Sequence, residues 1–286
     1  MKILMREPFS HAHDEYVGKY LASGPPKIIG IGREVVGARK DGSTFPLELA
    51  LNDGCSLLTG TRVGPSTGAA AALDSMDAVR EAFERQLGSA METACAAACA
   101  AERRLAAQQP MPLFSCLMPG CMARGADTLA GGADHNFSGM CLAEVATTAN
   151  SLAAIERLIF EERHMSLETL VGTLKRNFEG AEDLRQRLRQ GMPKFGTDDP
   201  AVDRQAEFVA RTFDTALRGR PHARGGMYLP LIFSRPHRQT LFGAKTAATA
   251  DGRRSGEILA VSLNPVPGTA DQGQGEVAAD GGGAGH

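Results

Sequence analysis

Six cysteines and seven histidines are the side chains of this 286-residue chain best suited to hold a metal ion or act as nucleophiles. Their spacing argues against both roles. His11-Ala12-His13 sits in a helical stretch, where residues two apart point to different faces, so the pair reads as two solvated histidines. Cys95 and Cys99 stand four apart among alanines and read as small buried hydrophobes. Cys116 and Cys121, with His135 beyond them, lack the tight ligand pairs of a structural zinc site. The glycine clusters "GPSTGAAAA", "GGADHNFSG", "RGGMYLP" and "DGRRSGE" have no phosphate-cradling spacing and mark tight loops. Two of them flank strand-like runs, where active-site loops tend to sit. No Ser-His-Asp set and no carboxylate pair follows from spacing, so no catalytic residue and no metal ligand is assigned.

Short apolar runs separated by amphipathic helices must position whatever chemistry there is. Apolar residues at Met76, Val79, Phe83, Leu87 and Met91 predict a helix capped by Asp74 or Ser75, running on through the alanine-rich segment. Further helices are predicted from Ser151, from Ser166 to near Gly180, and from Asp199 with Pro200 at its first position. "MPLFSCLM" (111–118) and "MYLPLIF" (227–233) read as buried strands, with Pro230 limiting the hydrogen bonding of the second. Helices alternating with such strands suggest an α/β barrel or layered sheet. Upstream, "HDEYVGKYLASG" reads as a helix, and "KIIGIGREVVGARKDGSTFPLELAL" as two β-rich runs joined through Asp41-Gly42. These cannot enclose a core without a partner surface.

Composition bounds the partners. Lys and Arg total 31 against 33 Asp and Glu, a net charge of −2, which gives no reason to expect nucleic acid or an acidic membrane. The N-terminus turns polar after five residues and no apolar run is long enough to cross a bilayer, so a cytoplasmic protein with reduced thiols is expected.

From about Leu47 to Gly268 the chain resembles the pyruvate formate-lyase-like glycyl radical enzymes. The resemblance is carried by "LELALNDG", "LLTG…GPSTG", "SMDAVREAFERQL", "LFSCLMPGCMARGADTLAGGADHNFSG", "NSLAAIERLIFEE", "PKFGTDDPAVD", "RGGMYLP" and "FGAKTAATADGRRSGE", in that order. It implies an incomplete segment of a ten-stranded α/β barrel, mainly helical. It also implies a parent family of anaerobic metabolism that cleaves pyruvate as a formate C-acetyltransferase, or acts as a lyase on diols, choline or hydroxyproline. In that family a radical S-adenosylmethionine activase installs a glycyl radical, which generates a thiyl radical that attacks a small-molecule substrate; a homodimer is a further expectation. The Gly-Cys-x-Glu loop of the dehydratase branch is not matched, because the chain has Gly54-Cys55-Ser56-Leu57 and Gly120-Cys121-Met122-Ala123. The glycyl loop has no counterpart after "DGRRSGE" either. The parent's "YNFTG…QGVG" region appears as "HNFSGMCLAEVA", which loses an aromatic and two glycines. Asn136 and Tyr228 remain in phrases that the resemblance places near the substrate pocket.

Residues 1–50 resemble the C-terminal half of a PAS sensor domain of the oxygen-sensing haem type. That resemblance would make His13 the haem ligand and Arg33 the residue that hydrogen-bonds bound oxygen. The expected organisation is therefore a partial PAS helix and hairpin (1–50), a barrel segment (51–268) and a disordered tail (269–286). The expected function is a glycyl radical enzyme fragment, inactive alone and without a cofactor of its own. The alternatives are a PAS-type sensor binding haem or another small ligand, and a gene fusion with no selected function.

Overall fold

A computed structural model describes residues 45–232, 236–261 and 263–266. The PAS-like segment before residue 45, with His11, His13, Arg33 and the Asp41-Gly42 hairpin, and the tail beyond residue 266 lie outside these residues.

The chain enters as α1 (Pro46–Leu51), with proline at its first position and Leu47 and Leu51 both buried. Leu47–Leu51, which by sequence could end either a PAS strand or a barrel helix, is a helix, because Pro46 fixes a helical φ and lacks only an N–H that would be unpaired there. α1 packs on α2 (Met76–Gln108), whose N-cap is Ser75; its hydroxyl accepts from Ala78 N. The short helices α3 (Pro112–Cys116) and α4 (Cys121–Arg124) follow, then β1 (Ser138–Cys141). α5 (Val145–Ile155) leads into a π-helical stretch (Glu156–Glu161), α6 (Leu167–Lys175) and α7 (Glu182–Gln190). α8 (Pro200–Leu217), β2 (Tyr228–Leu231) and α9 (Pro236–Gly243) complete the order.

Two expectations change here. The apolar run 111–118 is not a buried strand: Pro112 starts a one-turn helix, and Leu113 within it and Leu117 at its C-cap are exposed. The helix expected from Ser151 begins earlier, at Val145, and every one of its eleven residues is buried. Most of the polar groups named inside it find partners: Ser151 donates to Thr147 O at 2.8 Å, Thr147 Oγ1 accepts from Ala260 N at 3.1 Å, and Asn150 Oδ1 accepts from Phe195 N at 2.7 Å, while Asn150 Nδ2 is buried without a partner among the described residues. α5 is therefore the buried axis of the helical layer and packs along α8, which buries Val202, Val209, Phe213 and Leu217 against it.

β1 and β2 pair in parallel, Ser138 opposite Tyr228 and Cys141 opposite Leu231. Leu142 N donates to Leu231 O at 2.8 Å, so Leu229 and Leu231 turn their backbone groups toward β1 and Pro230 turns away. The missing N–H of Pro230 therefore costs this ladder nothing and blunts the outer edge of β2. One face of the pair meets the helices through buried Met140; the other leaves Leu229 and Leu231 40% and 43% exposed. Parallel sheets are normally covered on both faces. No helix among the described residues is long and apolar enough to cross a membrane.

Candidate functional site

The parallel pair has an amino end and a carboxyl end, and charged groups gather at both. At the amino end, α2 sends Glu102 toward the start of β1, where its Oε1 accepts the Ser138 hydroxyl. Glu102 Oε2 accepts Ala223 N at 3.1 Å, and Arg224 lies 3.7 Å from Oε1. Arg224 also donates to Ser138 Oγ at 2.8 Å and to Phe137 O at 2.5 Å. His222 is buried between these groups: its Nε2 faces Asn136 O at 3.1 Å and its Nδ1 accepts from Arg224 N at 3.1 Å. Those two partners assign the neutral imidazole with its proton on Nε2. The Glu102 carboxylate, 3.7 Å from Nδ1, is beyond hydrogen-bond reach.

His222 brings together the two pocket candidates read from the sequence. Its ring packs edge-on to Tyr228 at 5.7 Å, and Asn136 holds its Nε2. The Asn136 side chain turns into its own loop, donating to Ala133 O at 2.8 Å and Gly131 O at 3.3 Å. Tyr228 is 4% exposed; its hydroxyl donates to Cys95 O at 3.2 Å and contacts Cys99 Sγ at 3.4 Å. Burial, and then the Cys99 contact, push the phenol above its usual value. Cys95 is buried as expected, whereas Cys99 is only partly so.

The carboxyl end of β1 runs Cys141-Leu142-Ala143-Glu144 into α5. Glu144 is the N-cap of α5 with φ +67°, a left-handed backbone that glycine adopts freely. Apolar surroundings push its carboxyl up to about 7, opposed only by the charge of Arg253. Arg253 is 4% exposed and is held by four carbonyls: Arg254 and Glu257 at 2.9 and 2.7 Å, Thr246 and Ala247 at 3.2 and 2.5 Å. Beside it, the buried Lys194 ammonium donates to Leu188 O at 2.6 Å and Asp251 O at 2.9 Å. Lys194 thus ties the 246–257 loop to α7, and Arg253 fastens the loop to itself. Glu48 of α1 closes the group, accepting Leu57 N at 2.7 Å and Ser56 Oγ at 3.2 Å; burial raises its carboxyl above the usual range.

The two Gly-Cys sites of the sequence take no part in either cluster. Cys121 is buried at the start of a one-turn helix. Cys55 lies in a loop organised by Asp53, whose carboxylate accepts Ser66, Thr67, Gly68 and Arg62 donors and is held well below the usual range by them. Sequence reasoning missed Glu102, His222, Arg224, Glu144 and Arg253. Only Glu144 carried a signal, as a large side chain where the resembling pattern has glycine.

A family model described as pyruvate formate lyase-like matches residues 43–236. The (2S)-3-sulfopropanediol dehydratase of Klebsiella oxytoca is 29% identical over 221 residues, covering 77% of this chain and 27% of its own length. Among solved structures, the glycerol-bound B12-independent glycerol dehydratase from Clostridium butyricum superposes with a TM-score of 0.75 at 30% identity, over 78% of this chain and 28% of that one. The chain thus spans little more than a quarter of the length of these relatives. A separate short match, 47% identical over 53 residues, is to the sensor protein FixL of Bradyrhizobium diazoefficiens, covering 18% of this chain and 10% of that protein.

Proposed function

Because this chain belongs to the pyruvate formate lyase-like family, we propose that it is a barrel segment of a glycyl radical lyase of the dehydratase type, without a radical of its own. The observation carrying this is the β1–β2 pair with its helical layer, which follows a diol-type dehydratase at 30% identity and a TM-score of 0.75. The relatives named above are dehydratases, which favours that branch over formate C-acetyltransferase. In the complete enzyme the substrate is a small hydroxylated molecule, and the partners are a radical S-adenosylmethionine activase and a second copy of the enzyme.

Lack of turnover by this chain is supported by its thiols. Neither Cys55 nor Cys121 has glutamate two positions on, and the structure commits one to a turn and buries the other. The test is electron paramagnetic resonance after anaerobic incubation with a family activase, S-adenosylmethionine and reductant. No glycyl doublet is expected; a doublet on this chain would overturn the proposal.

The short FixL match favours a second reading for the N-terminal 50 residues, a PAS-derived segment in which His13 and Arg33 would face haem. Haem reconstitution decides it: a Soret band lost in His13→Ala supports the reading, and a colourless chain ends it.

A further inference from the structure

The turn leading into β2 is clasped to the turn leading into β1. A Cβ on Gly226 would stand 2.0 Å from Asn136 O and 2.6 Å from His222 Nε2, and one on Gly131 would stand 2.7 Å from Arg224 O. His222 lies between the turns with its side chain fully buried. Its Nε2–H is committed to Asn136 O at 3.1 Å, and the close backbone leaves that edge of the ring no room to move. The opposite edge is set differently: Nδ1 accepts the Arg224 N–H at 3.1 Å.

A proton on Nδ1 turns that acceptor into a donor facing a donor. The Arg224 N–H then loses its partner, and the new Nδ1–H needs one. The Glu102 carboxylate of α2 stands ready: Oε2 lies 3.7 Å from Nδ1, so a shift of about 1 Å brings it to the length of a charge-assisted bond. That oxygen holds the Ala223 N–H at 3.1 Å in the neutral arrangement. The cluster is already rich in donors, since Arg224 Nε is buried with no partner among the described residues. A further donor therefore displaces one that is now satisfied.

The other charged and titratable groups around the ring are committed elsewhere. The Arg224 guanidinium serves Phe137 O and Ser138 Oγ, beside Glu102 Oε1. Arg220 turns back to Ala216 O at 2.6 Å. Tyr228, edge-on to the ring, gives its hydroxyl to Cys95 O and meets Cys99 Sγ.

We infer that His222 is an acid-operated latch: once protonated, its Nδ1–H takes Glu102 Oε2, and the backbone of Ala223 and Arg224 is released. The proton comes from solvent and no covalent bond changes. The two arrangements differ by one proton and one exchanged acceptor, the kind of bistable element that a pH response needs. The latch does not depend on the barrel-segment proposal, and the radical assay does not read it.

The test is amide hydrogen exchange of the full chain, followed by NMR between about pH 8 and pH 5 and corrected for the intrinsic pH dependence of exchange. Protection of the Ala223 and Arg224 amides is expected to fall about tenfold toward the acid end. The Tyr228 amide, held by Arg220 O at 3.1 Å, is expected to keep its protection. His222→Gln, which is neutral throughout, is expected to flatten both profiles. Protection independent of pH, a parallel loss at Tyr228, or an unchanged loss in His222→Gln overturns the proposal. Ring nitrogen spectra of the native chain decide it without a variant: His222 protonated on both nitrogens at the acid end supports the latch, and a bare Nδ1 there overturns it.

Discussion

At the amino end of the β1–β2 pair, Glu102, Ser138, His222 and Arg224 bond to one another and to nearby backbone, although the buried Arg224 Nε has no partner among the described residues. At the carboxyl end, no hydrogen bond to the Glu144 carboxyl is seen among the described residues, and the guanidinium of Arg253 is tied up by carbonyls. One cluster is closed and ties α2 to both strands across long stretches of sequence. The other is open at the place where parallel folds bind ligands. The contrast teaches that the fold neutralises buried charge in two ways, with side-chain partners at one end and with backbone carbonyls at the other.

The largest expected effect breaks the closed side. Glu102→Ala removes the acceptor of Ser138 and Ala223 N–H and leaves the Arg224 charge uncompensated, at a cost of about 3–5 kcal/mol in urea unfolding. A loss below about 1 kcal/mol would show that the knot is ornamental.

The open side is tested by pH. The Glu144 carboxyl stands at about 7 in the folded chain against an ordinary 4.5. Folding therefore gains from the neutral form: this contribution is complete below pH 4.5, and is lost as pH rises through 7. It amounts to at most about 3 kcal/mol, less whatever residual solvent contact relieves. Stability profiles of the native chain and Glu144→Gln should diverge over that window; parallel profiles would place the carboxyl in water.

At acidic pH, where the carboxyl is neutral, Glu144→Gly isolates the backbone and should stabilise the chain by about 1–2 kcal/mol, by thermal melting. Destabilisation instead would mean that the side chain packs favourably. The smallest effect belongs to Tyr228→Phe, which removes one hydrogen bond to Cys95 O and the Cys99 contact, about 1 kcal/mol. A loss several times larger would make the Tyr228 hydroxyl part of the closed cluster.

Local signals in the sequence were legible where one residue carries them. Ser75, Ser166 and Asp199 cap their helices as their side chains and positions suggest, and Val202, Ala206, Val209 and Phe213 form the buried stripe of α8. α7 was not legible: of its nine residues only Leu188 is buried, so the apolar period is almost absent. The 111–118 run misled because an apolar stretch of eight residues has no period to distinguish a strand from an exposed turn of helix. The polar clusters were hidden for a different reason. Ser138 meets Glu102 across 36 residues and Ala223 meets it across 121, separations at which spacing carries no information. The exposed Leu229–Leu231 face follows from the same tertiary arrangement, since strand pattern alone reads it as buried.

The contrast between the two ends rests most directly on one quantity, the carboxyl midpoint of Glu144 in the folded, ligand-free chain. A resonance titrating near 7 and absent from Glu144→Gln is the expected result. A midpoint at the ordinary 4.5 would contradict it, leaving the carboxyl end of the sheet as solvated as any surface loop.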